Sequence, residues 1–393
     1  MVNNDSKYFV FNGKKSSDFG VWASGSGVFE TPAKRYEQID VPGRNGSLII
    51  EDGSFENVEL EFTECFIPQD FQQNFSDFKN YMMRQNGYQR LELSWLPDEY
   101  RLAAFEGGIS PELSTWDGTG RFDVTFNCKP QRFLKSGETP IYFTTWIGAS
   151  DTQYTYTPIF KLVLDENRES ASIWYTIRDS RTIAVDVYWF CNNDFSNPYL
   201  VSMGSHIPNV RHIDIYPEAL DAGDVCGWQI RLKRNTGDSP STMEIEGMMD
   251  IGGTTSADEM YFKAHFGSSF EVVNPTGCIC KPVFRCFGDA CALADVAHEE
   301  EWTIASQDYS STTQDIYMDC ENEYIYYYDS NGKKKNLANK FTIAHTDGGA
   351  FNLLQSFPTL GADKTSIGLN LTSNHSTAKY NILVELTPHW FRI

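Results

Sequence analysis

The chain has 393 residues, 41% of them hydrophobic, and a formal net charge of −21 from 53 acidic against 32 basic side chains. That length holds two or three domains of about 100–150 residues, and the apolar fraction supports packed cores and excludes wholesale disorder. The acidity argues against a nucleic-acid partner and against docking on an anionic membrane, since both rely on cationic side chains. No apolar run approaches the roughly 18 residues of a membrane-spanning helix. The opening stretch lacks the basic-then-apolar pattern of a secretory signal, so the chain is expected to be made and folded inside a cell.

Turn dipeptides come first: Asn12-Gly13, Pro42-Gly43, Asn45-Gly46 and Asp52-Gly53. Asn-Gly and Asp-Gly tolerate positive φ, so Tyr8 to Phe11 and the residues after Ser16 are predicted to form a hairpin. Val58, Leu60 and Phe62 alternate with Glu59, Glu61 and Thr63, the period of a strand with one buried face. The period then lengthens. Phe71, Phe75, Phe78 and Met82 share one stripe of a helix from about Pro68 to Gln85, with Asn86-Gly87 as its stop. Strands follow at Arg90 to Trp95, Arg101 to Phe105 and Arg121 to Cys128, the last with Phe122, Val124 and Phe126 on one face.

From about Tyr142 aromatic-rich strands alternate with polar loops: Pro158 to Leu164, Ser172 to Arg178, Thr182 to Phe190, Val210 to Tyr216, Trp228 to Lys233 and Met243 to Asp250. Such spacing, without intervening helices, predicts a two-sheet sandwich. Gly252 to Ser256 reads as a link back to a neighbouring domain. From about Phe270 the chain is again strand and turn, with Val283 to Phe287, Ile316 to Met318, Tyr324 to Tyr328, Ser366 to Leu371 and Tyr380 to Leu386 as its strands. Asn331-Gly332 is a hairpin turn, and the basic run Lys333 to Lys335 beside it reads as a solvated turn.

Signatures of catalysis are missing from this pattern. The seven histidines occupy no nucleophile or zinc motif, and Pro42 to Gly46 lacks the lysine and following helix of a phosphate loop. Glu244 and Glu246 share a strand face, as do Asp315 and Tyr317, but exposed carboxylates are ordinary in an acidic protein. No enzymatic activity is therefore expected. Cys278, Cys280, Cys286 and Cys291 cluster near His298, yet their spacing misses the paired knuckles of a zinc site, so free thiols and no metal or other cofactor are expected. The aromatic residues are more suggestive. Large amphipathic rings stack on the apolar faces of sugars and also fill cores. Parity puts Val185, Val187 and Trp189 on one face, and Trp228, Ile230 and Leu232 on another core face. Tyr188 and Asp186 fall opposite. Trp146, Tyr154, Tyr156, Trp174 and Tyr175 complete a candidate carbohydrate-binding set that alternation alone does not sort.

Several segments, in order, resemble the distal tail proteins of long-tailed, non-contractile bacteriophages. They are Phe11 to Lys14 with Ser16 to Gly20, Val41 to Gly46, Glu51 to Gly53 with Phe55 to Asn57, and Cys128 to Phe133. Later come Asn274 to Thr276, Lys281 to Arg285 leading into Gly288, Asp319 to Glu321, Phe357 to Leu360 and the ending Thr387 to Ile393. The resemblance implies a mainly β, non-catalytic hub in the virion, at the distal end of the tail, assembled in the cytoplasm of the bacterial host. It implies an N-terminal β-domain with one packed helix over 1–138 that forms a homohexameric ring, and a C-terminal galectin-like β-sandwich over 139–145 and 269–393. Residues 146–268 would be an inserted, jelly-roll-like β-sandwich, similar to the carbohydrate-binding modules some phages carry there. The implied partners are the chain itself, the major tail tube protein, a tail-tip protein, receptor-binding proteins and a host surface saccharide. DNA would pass through the channel without being bound. A purely docking insert on the same hub, or a glycan-hydrolysing one, are the alternatives.

Overall fold

The computed structural model describes residues 7–23, 29–113, 118–144, 155–157, 159–164, 167, 170–178, 183–191, 194–206, 210–216, 221–233, 243–250, 259–266, 269–286, 293–298, 300–306, 315–337, 341–347, 350–353, 357–370 and 383–393. Its architecture is mainly β, with one α-helix among these residues. Internal contacts divide the chain into two units, Met1–Ser136 with Trp390–Ile393, and Gly137–His389.

The first unit is built on an eight-stranded antiparallel sheet. Its main path runs Lys14–Lys15, Phe9–Phe11, Gln89–Leu93, Leu96–Phe105, Gly120–Leu134 and Phe391–Arg392, and Val58–Ile67 and Glu112–Leu113 also pair with Gly120–Leu134. The first turn is tighter than the sequence suggested. Asn12 and Gly13 take φ of 46° and 82°, so Phe11 pairs directly with Lys14. A two-residue turn with both φ positive leaves no room for a longer loop. The residues after Ser16 are therefore not a strand but a 3-10 turn, Ser16–Phe19. The Ser16 hydroxyl fastens it, donating to the Val21 carbonyl at 2.9 Å and accepting from the Phe9 amide at 3.3 Å.

Val58–Ile67 alternates as its sequence predicts until Glu64, whose φ of 55° marks a bulge opposite Val124 and Phe122. A bulge inserts one residue without a partner and resets parity, so Cys65 and Ile67 point inward again. The helix, Phe71–Met82, lays Phe71, Phe78 and Met82 on this core. The Phe78 ring lies 6.3 Å from Phe9 and 5.7 Å from Phe122. The helix stops short of Asn86-Gly87, because Arg84 and Gln85 bond to Tyr81 and Met82 three residues back and so tighten the chain out of the α-helical path. The chain's last residues also belong here. Phe391 and Arg392 pair with Phe133 and Arg132, and the Leu134 amide donates to the Trp390 carbonyl at 2.8 Å.

One part of this unit has no core. Lys34–Ile39 and Leu48–Phe55 form a separate two-stranded sheet. Its strands are exposed along nearly their whole length, including Tyr36, Ile39, Leu48, Ile49 and Ile50.

The second unit is organised by one ten-stranded sheet. Its order is Val210–Ile215, Ala171–Arg178, Met243–Asp250, Glu259–Phe266, Ile141–Thr144, Leu383–Thr387, Val283–Cys286, Ile316–Asp319, Tyr324–Tyr328 and Lys334–Asn336. The segments expected to form the insert and the C-terminal sandwich thus share a sheet, joined where Ile141–Thr144 runs parallel to Glu259–Phe266. Successive strand residues point to opposite faces, and Ile141–Thr144 uses this to serve two cores. Tyr142 packs its ring 5.3 Å from Phe160, in the cluster that includes Ile173, Ile245 and Phe262. Phe143 turns the other way and meets Phe270 at 4.9 Å. On the Tyr142 side the covering layer is a five-stranded sheet of Thr155–Tyr156, Val225–Lys233, Ile183–Cys191 and Asp194–His206, with Phe160–Val163 also paired to Val225–Lys233. Phe270 belongs to a six-stranded sheet of Ser269–Val273, Lys364–Asn370, Leu293–His298, Glu300–Ser306, Phe341–Asp347 and Ala350–Leu353. Gly247 permits close packing in the first of these cores, since a Cβ there would fall 2.2 Å from the Trp174 carbonyl oxygen and 2.6 Å from the Phe262 ring. The stretch read as a link, Gly252 to Ser256, lies outside the described residues.

Candidate functional site on the five-stranded sheet

The five-stranded sheet turns Val185, Val187, Trp189, Trp228, Ile230 and Leu232 into the core, as their alternation predicts. Its antiparallel register then fixes what faces outward. Asp186 lies opposite Arg231, and Tyr188 opposite Gln229. On the other side of the Val225–Lys233 strand, the register sets Tyr156 opposite Arg231 as well.

Tyr188, Arg231 and Gln229 form a connected polar patch with Thr157, and the register sets Asp186 beside it. The Arg231 guanidinium stands 4.0 Å over the Tyr188 ring, and its Nε donates to Gln229 Oε1 at 2.8 Å. Gln229 Nε2 in turn donates to the Thr157 carbonyl at 3.1 Å, while the Thr157 hydroxyl accepts the Ile230 amide at 3.0 Å. Asp186 and Gln229 are each only 7% exposed although they lie on an outward face. Their burial is that of a packed patch and not of a freely solvated surface. Held in this way, the guanidinium and amide lose little side-chain freedom when they meet a ligand. The patch offers an amide, a fork of guanidinium donors and an aromatic ring within about 4 Å of the guanidinium, with the Asp186 carboxylate on the residue paired with Arg231. That combination matches a polyhydroxylated ligand, whose hydroxyls both donate and accept and whose C–H faces pack on an aromatic ring.

The predicted binding residues are distributed unevenly around this patch. Asp186 and Tyr188 belong to it, and the Tyr156 backbone lies in register with it, its side chain being outside the described part. Trp174 sits on the outward face of the ten-stranded sheet, across the core, stacked on His212 at 4.3 Å and 9°. His212 Nε2 lies 2.9 Å from Asp214 Oδ1. Tyr175 is 5% exposed and packs in the core between the two sheets. Trp174 and Tyr188 therefore do not share a groove. Trp146 and Tyr154 lie outside the described residues. Alternation does not single out Gln229 and Arg231, although they are the wet half of the strand whose core half is Trp228, Ile230 and Leu232.

Cys278 and Cys280 are free thiols, and Cys280 is buried. Among the described residues no group of three His, Cys, Asp or Glu side chains is placed to hold a metal ion. Cys291 and the side chain of His298 lie outside them.

No protein-family model matches the sequence, and no curated protein does. Among solved structures the chain is similar to the SPP1 Dit (gp 19.1) protein, described as a paradigm of the hub adsorption apparatus in phages that infect Gram-positive hosts. The identity is 11% and the TM-score 0.29, over 57% of this chain and 97% of that one.

Proposed function

We propose that this chain is a non-catalytic structural hub at the distal end of a phage tail, that it assembles with copies of itself into a hexameric ring, and that the outer face of its five-stranded sheet holds a host surface saccharide. The observation that carries the assembly reading is the 34–55 hairpin, whose Ile49 and Ile50 are 58% and 47% exposed. A lone two-stranded hairpin is marginal in water, and its open edges invite pairing with another chain. Two of the segments that resemble the tail-protein family, Val41 to Gly46 and Glu51 to Gly53, fall on this hairpin and not in a core. Residues there answer to a partner more than to internal packing. In the same reading the tube and tip proteins are the ring's axial neighbours, and six copies of a weak sugar site give avidity through high effective concentration.

Class averages of the purified full-length protein, viewed down the symmetry axis, test the assembly. A six-fold ring with a central opening is expected, and a monomer that persists at high concentration would overturn it. Adsorption of the same protein to host cells tests the sugar site. Arg231→Ala and Tyr188→Ala should each reduce it at least tenfold, and unchanged adsorption in both variants would remove the saccharide from this face.

A further inference from the structure

A second constellation stands on the other half of the ten-stranded sheet, on the face turned away from Phe143. Its strands pair Tyr317 with Tyr326, Asp319 with Tyr324, Tyr328 with Lys334 and Arg285 with both Tyr317 and Glu385. Directly paired residues share a face, so these side chains rise together while Phe284, Ile316, Met318 and Ile325 are buried on the reverse. Tyr317 and Tyr326 stack at 5.2 Å and 7°, and Tyr324 and Tyr326 at 5.4 Å and 25°. Tyr328, 42% exposed, meets both Tyr317 and Tyr326 edge-on at 5.5 Å.

The charged groups on this face are held in different ways. Arg285 is held by Asp315 at 2.7 Å and Glu385 at 3.4 Å, and Asp319 accepts from the Asn322 amide at 3.0 Å and its side chain at 2.8 Å. Lys335, which the register sets on the reverse face with Tyr327, is held by Asp329 at 3.4 Å. Lys334 differs. Its ammonium lies 3.9 Å from the centre of the Tyr326 ring and 5.8 Å from that of Tyr324, and among the described residues it makes no ion pair with a carboxylate. Exposed and resting on aromatic rings, this ammonium can take an outside anion without breaking an ion pair among the described residues. A dense polyanion such as nucleic acid is disfavoured by the surrounding acidity. A sparsely charged ring compound is not.

We propose that this tyrosine face binds an anionic saccharide, with a sugar ring against Tyr328 and Tyr324 and a carboxylate or phosphate on Lys334. The site is separate from the five-stranded sheet and does not depend on the saccharide reading there. Isothermal titration of the full-length protein with oligogalacturonate and with a phosphomannan supplies the two anions, and methyl-esterified oligogalacturonate and neutral mannan supply the same sugars without charge. Binding of at least one anionic probe, weakened tenfold or more in its neutral counterpart, is expected. Lys334→Gln, at an exposed edge-strand position, should weaken it about tenfold, Tyr328→Ala similarly, and Tyr188→Ala not at all. No binding of either anionic probe would overturn the proposal, as would full binding by Lys334→Gln. Loss in Tyr188→Ala alone would move the ligand to the five-stranded sheet. Binding of an acidic peptide in place of both sugars would make this a protein-docking face.

Discussion

The strand Val58–Ile67 and the hairpin just before it, Lys34–Ile39 with Leu48–Phe55, have similar apolar content and opposite fates. The strand buries Val58, Leu60, Phe62 and, past its bulge, Cys65 and Ile67 against the helix and the sheet. In the hairpin, register sets Tyr36 and Ile49 toward one face, and Ile39, Leu48 and Ile50 toward the other, so that both faces carry apolar side chains and both are wet. Alternation therefore reports which side chains share a face, and a partner decides whether that face is dry. For the strand the partner lies within the chain. For the hairpin it is expected from another molecule.

The sharpest test of the buried side is Phe62→Ala. Its ring stacks on Phe9 at 5.1 Å and lies 6.1 Å from Trp95 and 6.0 Å from Phe126. Removing a fully buried aromatic ring takes away its transfer free energy and leaves a cavity. A loss of about 3–5 kcal/mol in the denaturant unfolding of the first unit is expected. A loss below about 1 kcal/mol would mean that this core is not packed as described.

Polar burial in the second unit gives a somewhat smaller effect. Asn274 Nδ2 donates to the carbonyls of Cys278 at 2.6 Å and Gly361 at 2.8 Å, and its Oδ1 accepts from the Thr276 amide at 2.9 Å and hydroxyl at 2.7 Å. It fastens the 274–280 loop to the 360–361 turn, where Cys280 and Leu360 form a β-bridge. Asn274→Ala strands several buried groups at once and should cost about 2–3 kcal/mol. Asn274→Asp, which keeps the acceptor and loses the donor, should recover only part of that. Wild-type stability in Asn274→Asp would show that the donated bonds do not hold the loop.

Much of this fold is legible in the sequence, and the remainder fails for identifiable reasons. The helix stripe and the inward faces of Val58–Phe62, Val185–Trp189 and Trp228–Leu232 follow from period alone. Asp194–His206 is a strand concealed by Asn197, Pro198 and Gly204, residues that read as turn or breaker, although Phe195, Tyr199, Val201 and Met203 share one parity. Continuity of the ten-stranded sheet rests on the parallel pairing of Ile141–Thr144 with Glu259–Phe266, a contact between distant segments that no local pattern encodes. The candidate site was half visible. Asp186 and Tyr188 stand out by parity, whereas Gln229 and Arg231 become meaningful only when the register sets them opposite.

His389 carries a weaker, pH-dependent effect. Burial pushes its pKa below the ordinary histidine value of 6.5, against the upward pull of Glu138, Asp319 and Glu321. A histidine with a depressed native pKa binds fewer protons folded than unfolded, so its contribution is complete above about pH 6.5 and is lost as pH falls toward the native pKa. Glu385 acts in the opposite sense. Burial raises its pKa above 4.5, against Arg285 and Tyr142, so stability from this group falls as pH rises through the native pKa. The comparison must therefore be made against His389→Asn, which tolerates the φ of 54° at this position. Between pH 7 and 5 the wild type should lose more stability than the variant, and parallel pH profiles would rule His389 out.

The smallest effect on folding should come from the hairpin, and it separates the two fates most directly. Ile50 is solvent-exposed on the face it shares with Ile39 and Leu48, so Ile50→Asp removes little internal packing. The monomer's unfolding free energy should change by no more than about 0.5 kcal/mol. A carboxylate buried without a partner in a subunit contact is far more costly than one left in water. If the hairpin pairs with another copy, sedimentation of Ile50→Asp should give monomer at concentrations where the wild type assembles. Phe62→Ala would then be unstable, and Ile50→Asp stable but unable to associate, although both remove apolar surface from neighbouring strands of one unit. Wild-type assembly by Ile50→Asp would mean that the hairpin's apolar side chains serve something other than the ring.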